Sequence, residues 1–470
     1  MGLPKRVLCI IILLWPIKLI AQEPSTFQPY LKLLEKALCL HTEQYQKIWP
    51  GYNLNDFPIA LYNDKEAYLV NHPSPGQEFQ QTKEAIANYP VYHSPQGVPQ
   101  FRANTSIEYN GSLTSIFQIY EGMPETGFYN FLFHEVFHSF AEGIEGIKGR
   151  YGNVLLQPFF PTDNSEYYVL AFIEQQLLKE ACLVEDEKKG IEKIQHYYTV
   201  HDRRISLADP SFAEFEYEEQ IHEGLAEYAG NKGLELMGFK DKAKANLINL
   251  LDRKIEAPSE FRGRCYGTGR ALAILLDNLY SGWKHNLSSK VNLNDLLRLK
   301  IKPAKDTNLD SILAKYEYGQ LHKYFSEVLD KQRLIRENLK NKVCQAGCIE
   351  IRLPPDTLLS INFDPWNITM ISDSVIYYNF LILSAKERFK LSLSGHPVIT
   401  QNTPKNMYAV KKVMIPIPEK MEVLFNNREI NELPEKGRFT GLSISAEGIS
   451  LLIQNGHILK QRGRYIIFVE

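Results

Sequence analysis

The spacing of apolar residues changes character along this chain, and the changes outline its parts. Leu31, Leu34, Leu38 and Tyr45 recur at helical intervals and predict one helix over residues 27–48, ended by Trp49-Pro50-Gly51. Two short strands are predicted over 58–62 and 68–71, on either side of Asn63-Asp64-Lys65. Residues 73–104 show little periodicity and read as loop, with a short helix near 79–87. Residues 106–120 read as one long strand or as a strand pair turning at Asn110-Gly111. A helix follows that is apolar on nearly every side, through Phe128, Phe131, Leu132, Phe133, Val136, Phe137 and Phe140, which marks a buried element.

Helical spacing continues over 166–183 and 188–198, and Asp209-Pro210-Ser211 looks like the start of a helix over 211–233. Cys265 opens another strongly apolar helix that runs to Tyr280. Shorter pieces lie at 293–299 and 309–313, and a charged helix lies at 316–342. Beyond Cys348 the period shortens to that of strands, in runs at 349–353, 374–378, 389–393, 413–417, 442–445 and 465–469. The fold class expected is α+β. A mainly helical unit with a small N-terminal mixed sheet is followed by an antiparallel, sandwich-like β domain over 349–470.

With 470 residues the chain is too long for one core. Lys+Arg 53 against Asp+Glu 55 leaves no charge excess to attract nucleic acid or an anionic membrane, so neither is expected as a partner. The start reads as an export signal over residues 1–21. Lys5 and Arg6 precede an apolar run at 7–15, and Ala21 offers a small residue for cleavage. Pro16 and Lys18 interrupt that run, which is too short to span a bilayer, and no later stretch is apolar enough. The mature chain is therefore expected outside the cytoplasm, secreted, periplasmic or at the cell surface. Its few cysteines make no disulfide scaffold. Cys344 and Cys348 are spaced either to bridge or to remain small buried thiols.

Candidate chemistry sits in the most apolar helix. His134-Glu135-x-x-His138 places two imidazoles four residues apart on one face, a workable bite for one metal ion, with Glu135 between them. Three ionisable groups in so apolar a helix are costly unless something satisfies them, and a metal ion would. A third ligand has to come from elsewhere. The helix over 211–233 carries Ile221-His222-Glu223-Gly224-Leu225-Ala226-Glu227, with Glu223 and Glu227 on one face amid small and apolar residues. Glu223, His222 and Glu227 are all candidates. Glu218 and Glu219 lie near that face and Glu214 and Glu216 add to its acidity; a solvated acidic face is the plain alternative, but Leu225, Ala226 and Ala229 argue for a packed segment around Glu223.

Taken together, His134-Glu135-x-x-His138 and Glu223-Gly224-Leu225-Ala226-Glu227 resemble the gluzincin metallopeptidases, whose third zinc ligand is a Glu on a second helix. The second segment is similar to the Asn-Glu-Gly-Phe-Ala motif of aminopeptidase N-like enzymes, which implies Glu223 as the ligand. Thermolysin-like enzymes place an acid four positions later to orient a ligand His, which implies that role for Glu227. Tyr266-Gly267-Thr268-Gly269 resembles the Tyr-x-x-Gly segment whose Tyr steadies an oxyanion. The resemblance covers roughly the middle third of the chain. It implies a zincin-like catalytic unit holding one Zn2+, with 22–127 as its α/β part and 128–345 as its helical zinc-binding part. It further implies Glu135 as general base and a peptide or protein as substrate. The chain departs from the pattern in the long stretch between His138 and Glu223, and in lacking a Gly-x-Met-Glu-Asn element for a substrate's amino terminus. Two other readings compete: a non-catalytic exported binding or assembly protein on a degenerate peptidase fold, and a zinc hydrolase of non-peptide amides or esters.

Overall fold

The computed structural model describes residues 27–470, apart from 154–159, 162, 305–306, 345–346, 356, 364–367, 373, 387 and 404–405. The expected signal at 1–21 lies outside these residues, and so does a Cys344–Cys348 bridge, because the Cys344 side chain is not among those described.

The helix expected over 27–48 divides into α1 (Gln28–Leu38) and a single turn, α2 (Thr42–Tyr45). His41 is extended between them, and its backbone N–H donates to the Gln44 side chain, closing a cap that starts the second turn. The apolar spacing runs through the break because Tyr45 returns to the same core and its hydroxyl donates to Ala37 O.

Six strands form the first sheet: β1 (Ile59–Tyr62), β2 (Ala67–Val70), β3 (Gln80–Ile86), β4 (Tyr89–Ser94), β5 (Thr105–Tyr109) and β6 (Ser112–Gln118). Their order is β3-β4-β2-β1-β6-β5. β1 and β6 are parallel, and the other neighbours are antiparallel. Both faces are covered. Ile59 and Leu61 point to the main core, while Ala60 and Tyr62 join a smaller core with Phe79, Phe101 and Tyr109. The expected turn at Asn110-Gly111 is present, with both residues left-handed. The expected helix near 79–87 is instead the β3–β4 hairpin. Ala87 and Asn88, at φ 48° and 73°, make its two-residue turn. β3 is an edge strand with mostly exposed side chains, so no apolar alternation announced it.

The helical unit comprises α3 (Glu125–Ala141), α4 (Ser165–Leu183), α5 (Glu187–Ile205), α6 (Pro210–Glu219), α7 (Leu225–Leu236), α8 (Lys240–Asp252), α9 (Phe261–Leu279), α10 (Trp283–Asn286), α11 (Leu293–Lys300), α12 (Leu309–Lys315) and α13 (Tyr318–Cys344). The Asp209 side chain accepts from Ser211 N at 3.0 Å and caps α6, as Asp-Pro-Ser predicts. α9 begins at Phe261 and not at Cys265, which moves Tyr266 from the helix mouth to its second turn. α3 and α7 cross closely. A Cβ on Gly230 would lie 2.7 Å from Asn130 O, and one on Gly233 would lie 2.1 Å from the Phe133 ring.

The C-terminal strands run from β7 (Cys348–Arg352) through β8 (Ser360–Phe363), β9 (Ile368–Ser372), β10 (Val375–Ala385), β11 (Phe389–Thr403), β12 (Asn406–Pro416), β13 (Glu422–Phe425), β14 (Arg428–Ile430), β15 (Lys436–Phe439), β16 (Leu442–Ala446), β17 (Ile449–Ile453) and β18 (Gly456–Gln461) to β19 (Arg464–Val469). They pair into one sheet that curls around a single apolar core. It is antiparallel except where the last strand, β19, lies parallel to the first, β7. The end of α13 rests on its outside, with Val343 packed against Tyr377, Ile399 and Met414. No helix among the described residues is long and apolar enough to cross a membrane.

Candidate metal centre

α3 supplies two imidazoles one turn apart. His134 Nε2 and His138 Nε2 lie 3.2 Å from each other, with the rings tilted by 72°. Glu223 Oε2 closes a triangle, 3.3 Å from the first nitrogen and 3.5 Å from the second. All three side chains are buried or nearly so. These three residues can hold a metal ion. Of the third-ligand candidates left by the sequence, Glu223 is the one in the triangle. His222 instead stacks obliquely on His138, with its Nε2 3.7 Å from Glu223 Oε1. Burial, with the His138 ring beside it, pushes the His222 ring down to about 4, so it stays neutral.

Glu223 owes its position to two local features. The helix from α6 to α7 widens into one π turn over Gln220–Gly224 without breaking. Such turns interrupt the regular side-chain register and recur at functional sites. α9 then packs against that turn with no side chains between. A Cβ on Gly224 would lie 2.6 Å from Gly269 Cα, and one on Gly269 would lie 2.6 Å from Gln220 O. This contact explains the Gly-Thr-Gly spacing after Tyr266 and brings Tyr266 to the site, where its ring lies nearly parallel to His134 at 5.9 Å.

The electrostatics are those of a strongly coupled cluster. Burial opposes ionisation of Glu223, but the two imidazoles outweigh it and hold this carboxyl well below its usual range. Burial likewise opposes a charged His134, yet Glu223 and Glu227 raise its affinity for a proton. Glu227 Oε2 sits 3.6 Å from His134 Nδ1, behind the ring, and its other oxygen accepts from Asn231 Nδ2 at 2.5 Å. Glu135 is buried, and its Oε2 has no hydrogen-bond partner among the described residues. Burial raises its carboxyl, with His134 and His138 pulling the other way. Burial, reinforced by Glu223, keeps the Tyr266 hydroxyl protonated.

His134, Glu135, His138, Glu223, Glu227 and Tyr266 therefore converge on one cleft of about 650 Å³. It is also lined by Asn104 and by Thr105 and Ser106 of β5, the open edge of the sheet. A serine cluster fastens that edge to α3. Ser106 and Ser115 hydroxyls lie 2.7 and 2.6 Å from Ser139 Oγ, and both donate to the Glu135 carbonyl at 3.3 Å.

Two residues of the site escaped the sequence reading. Arg262 donates to Glu223 Oε1 at 2.5 Å and to Glu219 Oε2 at 2.9 Å. Glu219 and Glu216, for which a solvated face was the plain alternative, are fully buried. The available signal was periodic: Arg262 precedes Tyr266 by one helical turn, and Glu219 precedes Glu223 by one. No protein-family model, curated protein or solved structure matches the chain.

Proposed function

We propose that this protein is an exported, gluzincin-type zinc metallopeptidase. The observation that carries the reading is the ligand triangle with, beside it, a carboxylate oxygen that has no hydrogen-bond partner among the described residues. Zinc binds nitrogen and oxygen at roughly 2.0–2.2 Å, so a tetrahedral site needs ligand atoms about 3.3–3.6 Å apart. The edges here, at 3.2, 3.3 and 3.5 Å, fit that demand. Two neutral imidazoles and one carboxylate also match the donor set of hydrolytic zinc.

Bound zinc would supply Lewis-acid polarisation of a carbonyl and a water of lowered pKa. The chain's own residues do the rest. Glu135, unpartnered and facing the cleft, accepts a proton from the attacking water and passes it to the leaving amine. Tyr266, kept protonated, donates to the oxyanion as it develops. Glu227 orients His134 from behind. An extended peptide adds to the open edge of β5 by main-chain hydrogen bonds. The β domain lies outside this chemistry.

The test is metal content together with peptide hydrolysis. Purified protein should carry about one zinc per chain, and His134→Ala and Glu223→Ala should lose it. A Glu223→Ala protein with full metal would remove the third ligand from this scheme. Wild type with metal but no hydrolysis of any peptide library would favour the non-catalytic alternative.

A further inference from the structure

The two oxygens of Glu223 have different partners. Oε2 faces the imidazole nitrogens, and Oε1 is taken by Arg262 at 2.5 Å. Arg262 is itself fixed, its Nε on Glu219 Oε2 at 2.9 Å. Glu219 is fixed in turn, accepting from Gly152 N at 2.9 Å on its other oxygen. From these contacts we infer that Arg262 is a positioning residue that keeps Glu223 a one-oxygen ligand. Glu219 and the Gly152 backbone anchor it. The inference rests on the metal-centre reading above.

The consequence is chemical. A hydrolytic metal needs three protein donors and one open position. A carboxylate free to turn can bind through both oxygens and occupy that position itself. Arg262 prevents this because a guanidinium presents its donors in a rigid planar fork, and here the fork spans carboxylates one helical turn apart. A lysine, a single point of charge, cannot hold both in fixed geometry. Arg262 is poorly placed to bind substrate instead, since Nε and Nη2 are both committed to these carboxylates.

Cobalt substitution reads coordination number without reference to turnover. Co2+-loaded wild type should show the intense visible bands of a four-coordinate ion. Arg262→Met and Arg262→Lys, loaded to the same stoichiometry, should lose intensity as a fifth donor enters. Their zinc affinity, measured by competition with a chelator, should fall about 10–100-fold. Glu219→Gln keeps hydrogen-bonding capacity but not charge. It should move both readouts the same way by less, and it decides the matter if the arginine variants do not fold. Variants whose cobalt bands and zinc affinity match wild type overturn the inference and leave the metal centre standing. A wild type that takes up neither Co2+ nor Zn2+ overturns both.

Discussion

At the scale of the residue, Glu135 is an uncomfortable group. It is buried, one oxygen has no hydrogen-bond partner among the described residues, and the helix that carries it is mostly apolar. A carboxylate in that state costs stability unless function retains it. Glu135→Gln should therefore keep its metal and at least its wild-type thermal stability while hydrolysis falls by about 10²–10⁴. Undiminished hydrolysis in that variant would end the case for Glu135 as base. Tyr266 is argued differently, because its hydroxyl acts only on charge that develops during the reaction. Tyr266→Phe should lower kcat by about 10²–10³ with KM nearly unmoved, and a change confined to KM would reassign the residue to substrate binding.

At the scale of the element, the site is a crossing of three helices, and glycines set its tightness. Gly230 and Gly233 admit α3 against α7, and Gly224 meets Gly269 where α9 packs on the π turn. Gly233→Ala drives a methyl into the Phe133 ring and should cost about 1–3 kcal/mol in chemical denaturation, with zinc affinity falling as the helices separate. Gly319→Ala, exposed in α13 with nothing within 4 Å, should be neutral or stabilising by up to about 1 kcal/mol. If the two variants behaved alike, the tight crossing would not be what positions the ligands. The same scale shows what the sequence made legible. His134, Glu135 and His138 were readable because one helix fixes their spacing. Glu223 was one of three candidates by residue pattern, and only the resemblance of its segment singled it out. The π turn left no pattern in residue types, and the exposed strand β3 offered no alternation to detect. Arg262 and Glu219 were hidden for another reason. A charged residue reads as solvated until its partner is known, and these partners lie on helices far apart in the chain.

At the scale of the whole molecule, four helices are tied together behind the site by a buried quartet of charges. Arg204 on α5 and Arg264 on α9 bridge Glu174 on α4 and Glu216 on α6, with Arg204 Nε 2.6 Å from Glu174 and Nη1 2.6 Å from Glu216. Arg264 Nη1 lies 2.6 Å from Glu216 Oε2 and Nη2 pairs with Glu174. All four side chains are essentially excluded from water. α6 continues into the turn that bears Glu223, and α9 carries Arg262 and Tyr266, so this quartet sets the frame on which the site is hung. Burial opposes ionisation of Glu174 and Glu216, but the two guanidiniums outweigh it and hold both carboxyls below their usual value. Groups depressed in the folded state stabilise fully above the unfolded pKa of about 4.3, and that stabilisation is lost as pH falls through the folded values. Acid should therefore unfold the protein by protonating this core, leaving two buried guanidiniums facing each other. Glu216→Gln breaks the quartet on one side and should cost about 3–5 kcal/mol at pH 7. The gap between wild type and variant should then narrow below about pH 4.3, because acid removes from the wild type what the substitution has already taken. Melting curves of both proteins from pH 7 to pH 3 test this, and a gap that stays constant across that range would show that the quartet does not govern acid stability.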